Sequence, residues 1–88
     1  MVRRNKTMRY EVTLPALGEE GDEVQEGTVS VWLVEVGETV EEGDDLVEIV
    51  TDKAAFVVPS PKSGIVEEKL VSEGERVEVG ETLCVLEI

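Results

Sequence analysis

Apolar and polar positions alternate along most of this chain in short runs broken by glycine. No stretch sustains the 3.6-residue period of an amphipathic helix. Strands are predicted at Tyr10–Leu14, Val31–Val36, Thr39–Val40, Leu46–Thr51, Ala54–Val58, Lys69–Val71, around Val77, and at Leu83–Ile88. Tight turns fall at Gly37-Glu38, Glu42-Gly43-Asp44, Gly74-Glu75 and Val79-Gly80-Glu81. Pro59-Ser60-Pro61 is expected to end the pairing of the strand before it, because proline lacks the amide donor. About eight short strands in so short a chain predict an all-β fold, a sandwich or flattened barrel.

The pattern repeats. Sliding the chain by 37 positions lays residues 27–51 on 64–88 with ten identities, among them Gly27/Gly64, Leu33/Leu70, Gly37/Gly74, Val40/Val77, Gly43/Gly80 and Leu46/Leu83. Two copies are too few for a solenoid. A pair related by a pseudo-twofold axis is the natural arrangement.

One hairpin can be registered from sequence. Folding the chain at Asp52-Lys53 sets Thr51 against Ala54, Ile49 against Phe56 and Val47 against Val58. All three pairs then lie on one face, and two of them are large and apolar, as pairing over a core requires. The two-residue loop holds Lys53 on a rigid tip with its ammonium in water. It does so without the Asn-Gly pair that such turns favour. An exposed lysine on a turn is commonplace, but a lysine at a fixed tip is open to a modifying enzyme and can carry a long group away from the surface. Residues 47–51 match 84–88 in the repeat, so this tip should lie opposite the end where the first and last strands pair.

Composition narrows the chemistry. Eighty-eight residues make one small domain with a modest core. Histidine is absent, which excludes a histidine metal site or a Ser-His triad. Cys84 is the lone cysteine, so no disulfide forms within the chain. It fits a reducing compartment, cytoplasm or mitochondrial matrix. As the partner of Val47 in the repeat, Cys84 is expected to be a buried, inert thiol. Trp32 reads as a structural aromatic under a sheet.

The net charge is −13, yet Arg3, Arg4, Lys6 and Arg9 all precede the first acid. Residues 1–9 read as a flexible basic leader and 10–88 as the domain, which carries a net −17. So acidic a body repels nucleic acid and anionic membranes and suits steering toward basic protein surfaces. No run approaches the length of a membrane span, and the leader has no signal-peptide core.

These residues together resemble a lipoyl domain of the biotinyl/lipoyl-carrier family, over Tyr10 to Ile88. The likeness rests on Val12-Thr-Leu-Pro15, Leu17-Gly18-Glu19, Glu26-Gly-Thr-Val-Ser-Val-Trp32-Leu33, Val36-Gly-Glu-Thr-Val-Glu-Glu-Gly43-Asp44, Thr51-Asp52-Lys53-Ala54, Val58-Pro-Ser-Pro61, Gly64, Val71-Ser-Glu-Gly-Glu-Arg-Val77 and Val79-Gly-Glu-Thr-Leu83. The resemblance implies a barrel-sandwich hybrid of two four-stranded antiparallel sheets. It implies that Lys53 carries lipoic acid as an amide, with Asp52 and Ala54 helping enzymes to recognise the turn. An ammonium is a poor nucleophile at neutral pH, so attachment would need a lipoate ligase or lipoyl transferase.

The implied role is that of a swinging-arm carrier and not an enzyme. The arm would take an acyl group from a thiamine-dependent 2-oxo acid dehydrogenase and pass it to coenzyme A at a dihydrolipoamide acyltransferase core. Dihydrolipoamide dehydrogenase, a flavoprotein, would then reoxidise it. The domain itself is expected to be monomeric. In such domains the loop matching Gly18–Gln25 lies beside the hairpin and helps partner choice. Biotin carriers share the fold but place methionine on both sides of the lysine, where this chain has Asp52 and Ala54. The glycine-cleavage carrier is longer, with helical segments. A biotin carboxyl carrier, or a scaffold that keeps the fold without a cofactor, is the alternative. Val50, where an acid is common, and Ala55-Phe56 depart from the usual pattern and bear on partner preference.

Overall fold

The computed structural model describes residues 7–18 and 24–88. Residues 1–6 of the expected leader and 19–23 of the expected loop lie outside the described residues. Eight strands form: β1 (Arg9–Thr13), β2 (Glu26–Trp32), β3 (Thr39–Val40), β4 (Asp45–Val50), β5 (Ala55–Pro59), β6 (Gly64–Lys69), β7 (Arg76–Glu78) and β8 (Thr82–Glu87). They make two antiparallel four-stranded sheets, ordered β1-β8-β6-β3 and β5-β4-β2-β7. The second sheet takes β2, β4 and β5 from one stretch of chain and the short β7 from the other repeat, while the first joins β6 and β8 to the N-terminal β1 and to the short β3 of the other repeat.

The 37-residue repeat is the symmetry of this arrangement. β2 corresponds to β6, β3 to β7 and β4 to β8, while β5 plays for β4 the part that β1 plays for β8. Irregularities repeat as well. The β2–β4 register slips between Val29 and Val31, and the β6–β8 register slips between Val66 and Glu68. Backbone hydrogen bonds cross between the halves in matched pairs. Gly37 N donates to Val66 O at 2.7 Å, and Gly74 N donates to Val29 O at 2.7 Å. Gly37 and Gly74 hold φ of 94° and 92°, a region closed to most L-residues, which fixes glycine at these crossings.

The core lies between the sheets. Leu46, Val47, Ile49, Val66, Val77, Leu83, Cys84 and Leu86 are fully buried. Trp32 and Lys69, equivalent in the repeat, meet across the pseudo-twofold: Lys69 Nζ sits 5.1 Å from the centroid of the Trp32 ring. The indole N–H donates to Val71 O at 3.0 Å. Trp32 is thus the half-buried structural aromatic that the sequence suggested.

Two boundaries differ from expectation. β2 starts at Glu26 and ends at Trp32, instead of covering Val31–Val36, and β6 starts at Gly64 and ends at Lys69 instead of covering Lys69–Val71. Apolar periodicity misses the early part of both strands because each has, at its first or second position, a glycine packed closely against a neighbouring strand. A Cβ at Gly27 would lie 2.6 Å from Ile49 Cγ2, and one at Gly64 would lie 2.5 Å from Glu87 O. β5 ends at Pro59, as expected: Pro59 is its last residue, paired with Asp45, and Ser60 N donates once more to Asp44 O at 2.7 Å before the chain turns away. β5 is an edge strand, where a missing amide donor is tolerated.

Both glycines should resist substitution, and unequally. Gly27→Ala meets the Cγ2 methyl of buried Ile49, with Val50 O at 3.0 Å, and is expected to lose about 2 kcal/mol of unfolding free energy. Gly64→Ala meets a backbone carbonyl, and is expected to lose about 3 kcal/mol. Urea denaturation of the two variants checks the order.

Candidate functional site

The β4–β5 hairpin has the register read from sequence: Val47 opposes Val58, Ile49 opposes Phe56 and Val50 opposes Ala55. Ile49 and Val47 are fully buried, Val58 is buried, and Phe56 packs half-buried against the core. These inward pairs pin the hairpin to within two residues of its tip. β4 is an interior strand held by β2 on its other side. Asp52, Lys53 and Ala54 are exposed at the tip.

The turn closes through Thr51, whose role the sequence did not announce. Thr51 N donates to Ala54 O at 2.8 Å. The Thr51 hydroxyl accepts from Lys53 N and from Ala54 N, both at 3.1 Å, and donates to Ala54 O at 3.2 Å. One donor and two lone pairs are all a hydroxyl has, and all are used. No non-glycine residue among the described residues has a positive φ, so Asp52-Lys53 is not the mirror-image turn that favours Asn-Gly. Thr51 supplies the bonds that hold an ordinary turn here. A threonine directly before a glycine-free loop was the available signal.

Topology sets the tip apart from the chain ends. β7 pairs with β2 at Gly27, beside the end of β4, so β8 starts at the tip end of the molecule. β8 finishes at the other end, where Met8 and Ile88 exchange two backbone hydrogen bonds of 3.1 and 2.9 Å. Met8/Ile88 holds the place, in its sheet, that Ala54/Thr51 holds in the Lys53 sheet.

Beside the tip lies an open groove of about 600 Å³, lined by Gly27, Thr28, Val50, Thr51, Asp52 and Arg76 among others. Arg76 Nη1 meets Glu26 Oε2 at 3.3 Å on its wall. The other described lysines are placed differently. Lys62 Nζ lies 5.7 Å from the Tyr10 ring centroid, and Lys69 Nζ lies over Trp32 and 3.8 Å from Glu35 Oε1. Among the described residues no cluster of three or more His, Cys, Asp or Glu is placed to hold a metal ion. Cys84 is fully buried, and burial pushes its thiol up to about 11 against a smaller opposing pull from Lys69. It is a core residue without thiolate reactivity at neutral pH.

Comparison with known proteins follows this geometry. Residues 10–86 match the biotin/lipoyl family described as "Biotin-requiring enzyme". The chain is 41% identical over 76 residues to the dihydrolipoyllysine-residue succinyltransferase component of the 2-oxoglutarate dehydrogenase complex of Staphylococcus saprophyticus. It is 42% identical over 76 residues to the dihydrolipoyllysine-residue acetyltransferase component of the pyruvate dehydrogenase complex of Staphylococcus epidermidis. Each match covers 86% of this chain but only 17% of the relative, so the chain spans about a sixth of the length of these curated relatives. The solution structure of the lipoyl domain of the 2-oxoglutarate dehydrogenase complex from Azotobacter vinelandii superposes with a TM-score of 0.65 at 32% identity, covering 86% of this chain and 92% of that one. Kluyveromyces lactis urea carboxylase shares the fold at a TM-score of 0.74 and 24% identity, covering 98% of this chain and 7% of that one.

Thr51→Val keeps the shape and the β-branch but removes three hydrogen bonds. It should lower stability by about 1–2 kcal/mol and broaden the amide signals of Asp52, Lys53 and Ala54 in NMR spectra, while Thr51→Ser restores both. Cys84 gives a pH test. Its folded pKa lies above the ordinary thiol value of 9.0, so its contribution is complete below pH 9 and is lost as pH rises through about 11. Cys84→Val, which imports the residue of the equivalent position 47, should remove a decline on the order of 2 kcal/mol between those pH values. Chemical denaturation of both proteins at pH 8, 9.5 and 11 measures the difference.

Proposed function

The chain belongs to the biotin/lipoyl family as a lipoyl domain, and from that premise we propose that Lys53 bears a lipoyl group and carries acyl groups within a 2-oxo acid dehydrogenase complex. The observation that supports this most is the placement of Lys53. It stands at the tip of a two-residue loop, closed by Thr51 and pinned by the Ile49/Phe56 and Val47/Val58 pairs. A long group joined there as an amide projects from a fixed point and away from the end where Met8 pairs with Ile88.

When attached, the group supplies a disulfide that takes up acyl groups and electrons; the chain supplies position. Thr51 fixes the backbone amides of Lys53 and Ala54, so the Lys53 side chain departs from a fixed point on the turn. Asp52 and Ala54 flank it with a carboxylate and a methyl, a small landmark for an attaching enzyme. Asp52 also lines the groove and links the tip to the outer surface of the sheet. Tethering raises the effective concentration of the arm at each active site the domain visits.

The partners of this reading are a lipoate ligase or lipoyl transferase, a thiamine-dependent 2-oxo acid dehydrogenase, an acyltransferase core and dihydrolipoamide dehydrogenase. The working compartment is the cytoplasm, or the matrix in a mitochondrion. The succinyl- and acetyltransferase relatives are equally similar, so the reading extends to the class of 2-oxo acids and not to one of them.

Incubation with lipoate ligase, lipoate and ATP should add one lipoyl group, and Lys53→Arg should abolish it. Modification at Lys62 or Lys69, or labelling by a biotin ligase in its place, would sink the assignment. The double change Asp52→Lys with Lys53→Asp keeps composition and charge but moves the amine by one turn position. We expect it to fold normally by NMR and to accept little or no lipoate, since adjacent positions aim side chains in different directions. Intact-protein mass spectrometry reads both results.

A further inference from the structure

The pseudo-twofold supplies an internal control for every outward position of the Lys53 sheet. Two adjacent rungs on that outer surface are Val31–Glu48–Val57 and Thr28–Val50–Ala55. Their counterparts on the other sheet are Glu68–Val85–Glu11 and Ile65–Glu87–Arg9. One of six positions is charged on the Lys53 sheet and four of six on the other, in equivalent backbone environments. The charged version folds, with Arg9 bridging Glu67 and Glu68 at 2.7 and 3.5 Å, so the fold does not require the apolar one. Val31 and Val57 are nonetheless 37% and 45% exposed. Thr28 and Val50 of this surface also line the groove beside the tip, together with Asp52.

We propose that this outer face of β2, β4 and β5 is the docking surface for the enzyme that loads acyl groups onto the Lys53 arm. The inference rests on the carrier reading above. The face is continuous with the two strands that carry Lys53, so an enzyme seated on it faces the tip. The chemistry of the fit is an apolar ridge for Val31, Val50 and Val57, one cation opposite Glu48 at their centre, and a basic surround matching the strongly acidic domain. The occupant is the acyl-donating enzyme and not the attaching one, because attachment needs only an amine on a readable turn. An acyl donor must choose its own carrier among similar tips, and choice requires surface beyond the turn.

The test imports residues that the other sheet already tolerates. Val31→Glu with Val57→Glu copies Glu68 and Glu11; Glu11→Val with Glu68→Val is the reciprocal control. Each lipoylated chain is offered to the thiamine-dependent dehydrogenases of the pyruvate and 2-oxoglutarate complexes. For the enzyme that acylates the wild type, the first variant should raise KM for the domain about tenfold or more with kcat kept within about twofold, and the control should leave both unchanged. Glu48→Lys, a single surface change, should also raise KM by several-fold, with an effect that shrinks as salt rises. Without any lipoyl group, the amides of Val31, Val57 and Thr28 should broaden in NMR titrations with that dehydrogenase, and those of Glu11, Ile65 and Glu68 should not.

Unchanged KM in both face variants, equal losses in the control, or a parallel fall in the rate of ligase modification would overturn the proposal. So would a lipoylated wild type that neither dehydrogenase acylates. A wild type that takes no lipoyl group at Lys53 fails earlier, at the carrier reading, and the two failures are separated by mass spectrometry.

Discussion

Each sheet is closed by a strand borrowed from the other half, and the rest of the structure depends on that exchange. β3 completes the sheet of β6 and β8, while β7 completes the sheet of β2 and β4. The exchange is locked by backbone bonds at the crossings: Val66 N to Glu38 O and Val29 N to Glu75 O, both 2.9 Å, beside the matched glycine donors. Neither half can bury its inner face alone. The hairpin that bears Lys53 is therefore oriented by residues more than twenty positions away in sequence, through β7 and its hold on β2. Such non-local pairing gives a small domain a rigid frame without a disulfide, from a core of valines, leucines and isoleucine.

Symmetry makes the departures from symmetry informative. The backbone at Thr51–Ala54 and at Ile88–Met8 follows the same ladder, yet one end is a continuous tight turn and the other a meeting of separate segments. The turn needs an internal clasp, which Thr51 supplies with its hydroxyl. The other end draws on two reciprocal backbone bonds. Thr51 corresponds there to Ile88, which has no hydroxyl. What distinguishes the two ends is thus not the scaffold but a few side chains and one connection, which is how a duplicated fold acquires a single site.

Much of this was legible before the fold was seen. The hairpin register follows from two constraints, a loop too short to slip and apolar pairs that must share a face. Both act within a dozen residues, so sequence carries them. The 37-residue repeat gave the sheet correspondence for the same reason: turn glycines and inward aliphatics recur at fixed offsets. The early parts of β2 and β6 were hidden because their defining residue is glycine, whose contribution is the close approach of another strand. Pro59 was legible as a strand end, but that it is itself the last paired residue depends on β5 being an edge, which is a property of the sheet. The outward placing of Val50 and Val57 follows from the same hairpin register, but that of Val31 was hidden, because the β2–β4 register slips between Val29 and Val31.

The charge of the domain completes the physical picture of a carrier. A net −17 from Tyr10 onward draws the domain toward basic surfaces, but at cellular salt the attraction fades over roughly 8–10 Å. Steering therefore speeds approach without holding the domain in place. Exposed charge pairs such as Arg9–Glu67 and Arg76–Glu26 add little to stability or affinity. A module that must visit several active sites in turn benefits from this division. On the carrier reading proposed above, long-range charge would bring it close, the apolar outer face would orient it, and the rigid turn would aim Lys53. Enlarging the apolar face would lengthen residence at one partner at the expense of the next, whereas its small extent, with Glu48 at the centre, keeps each encounter reversible.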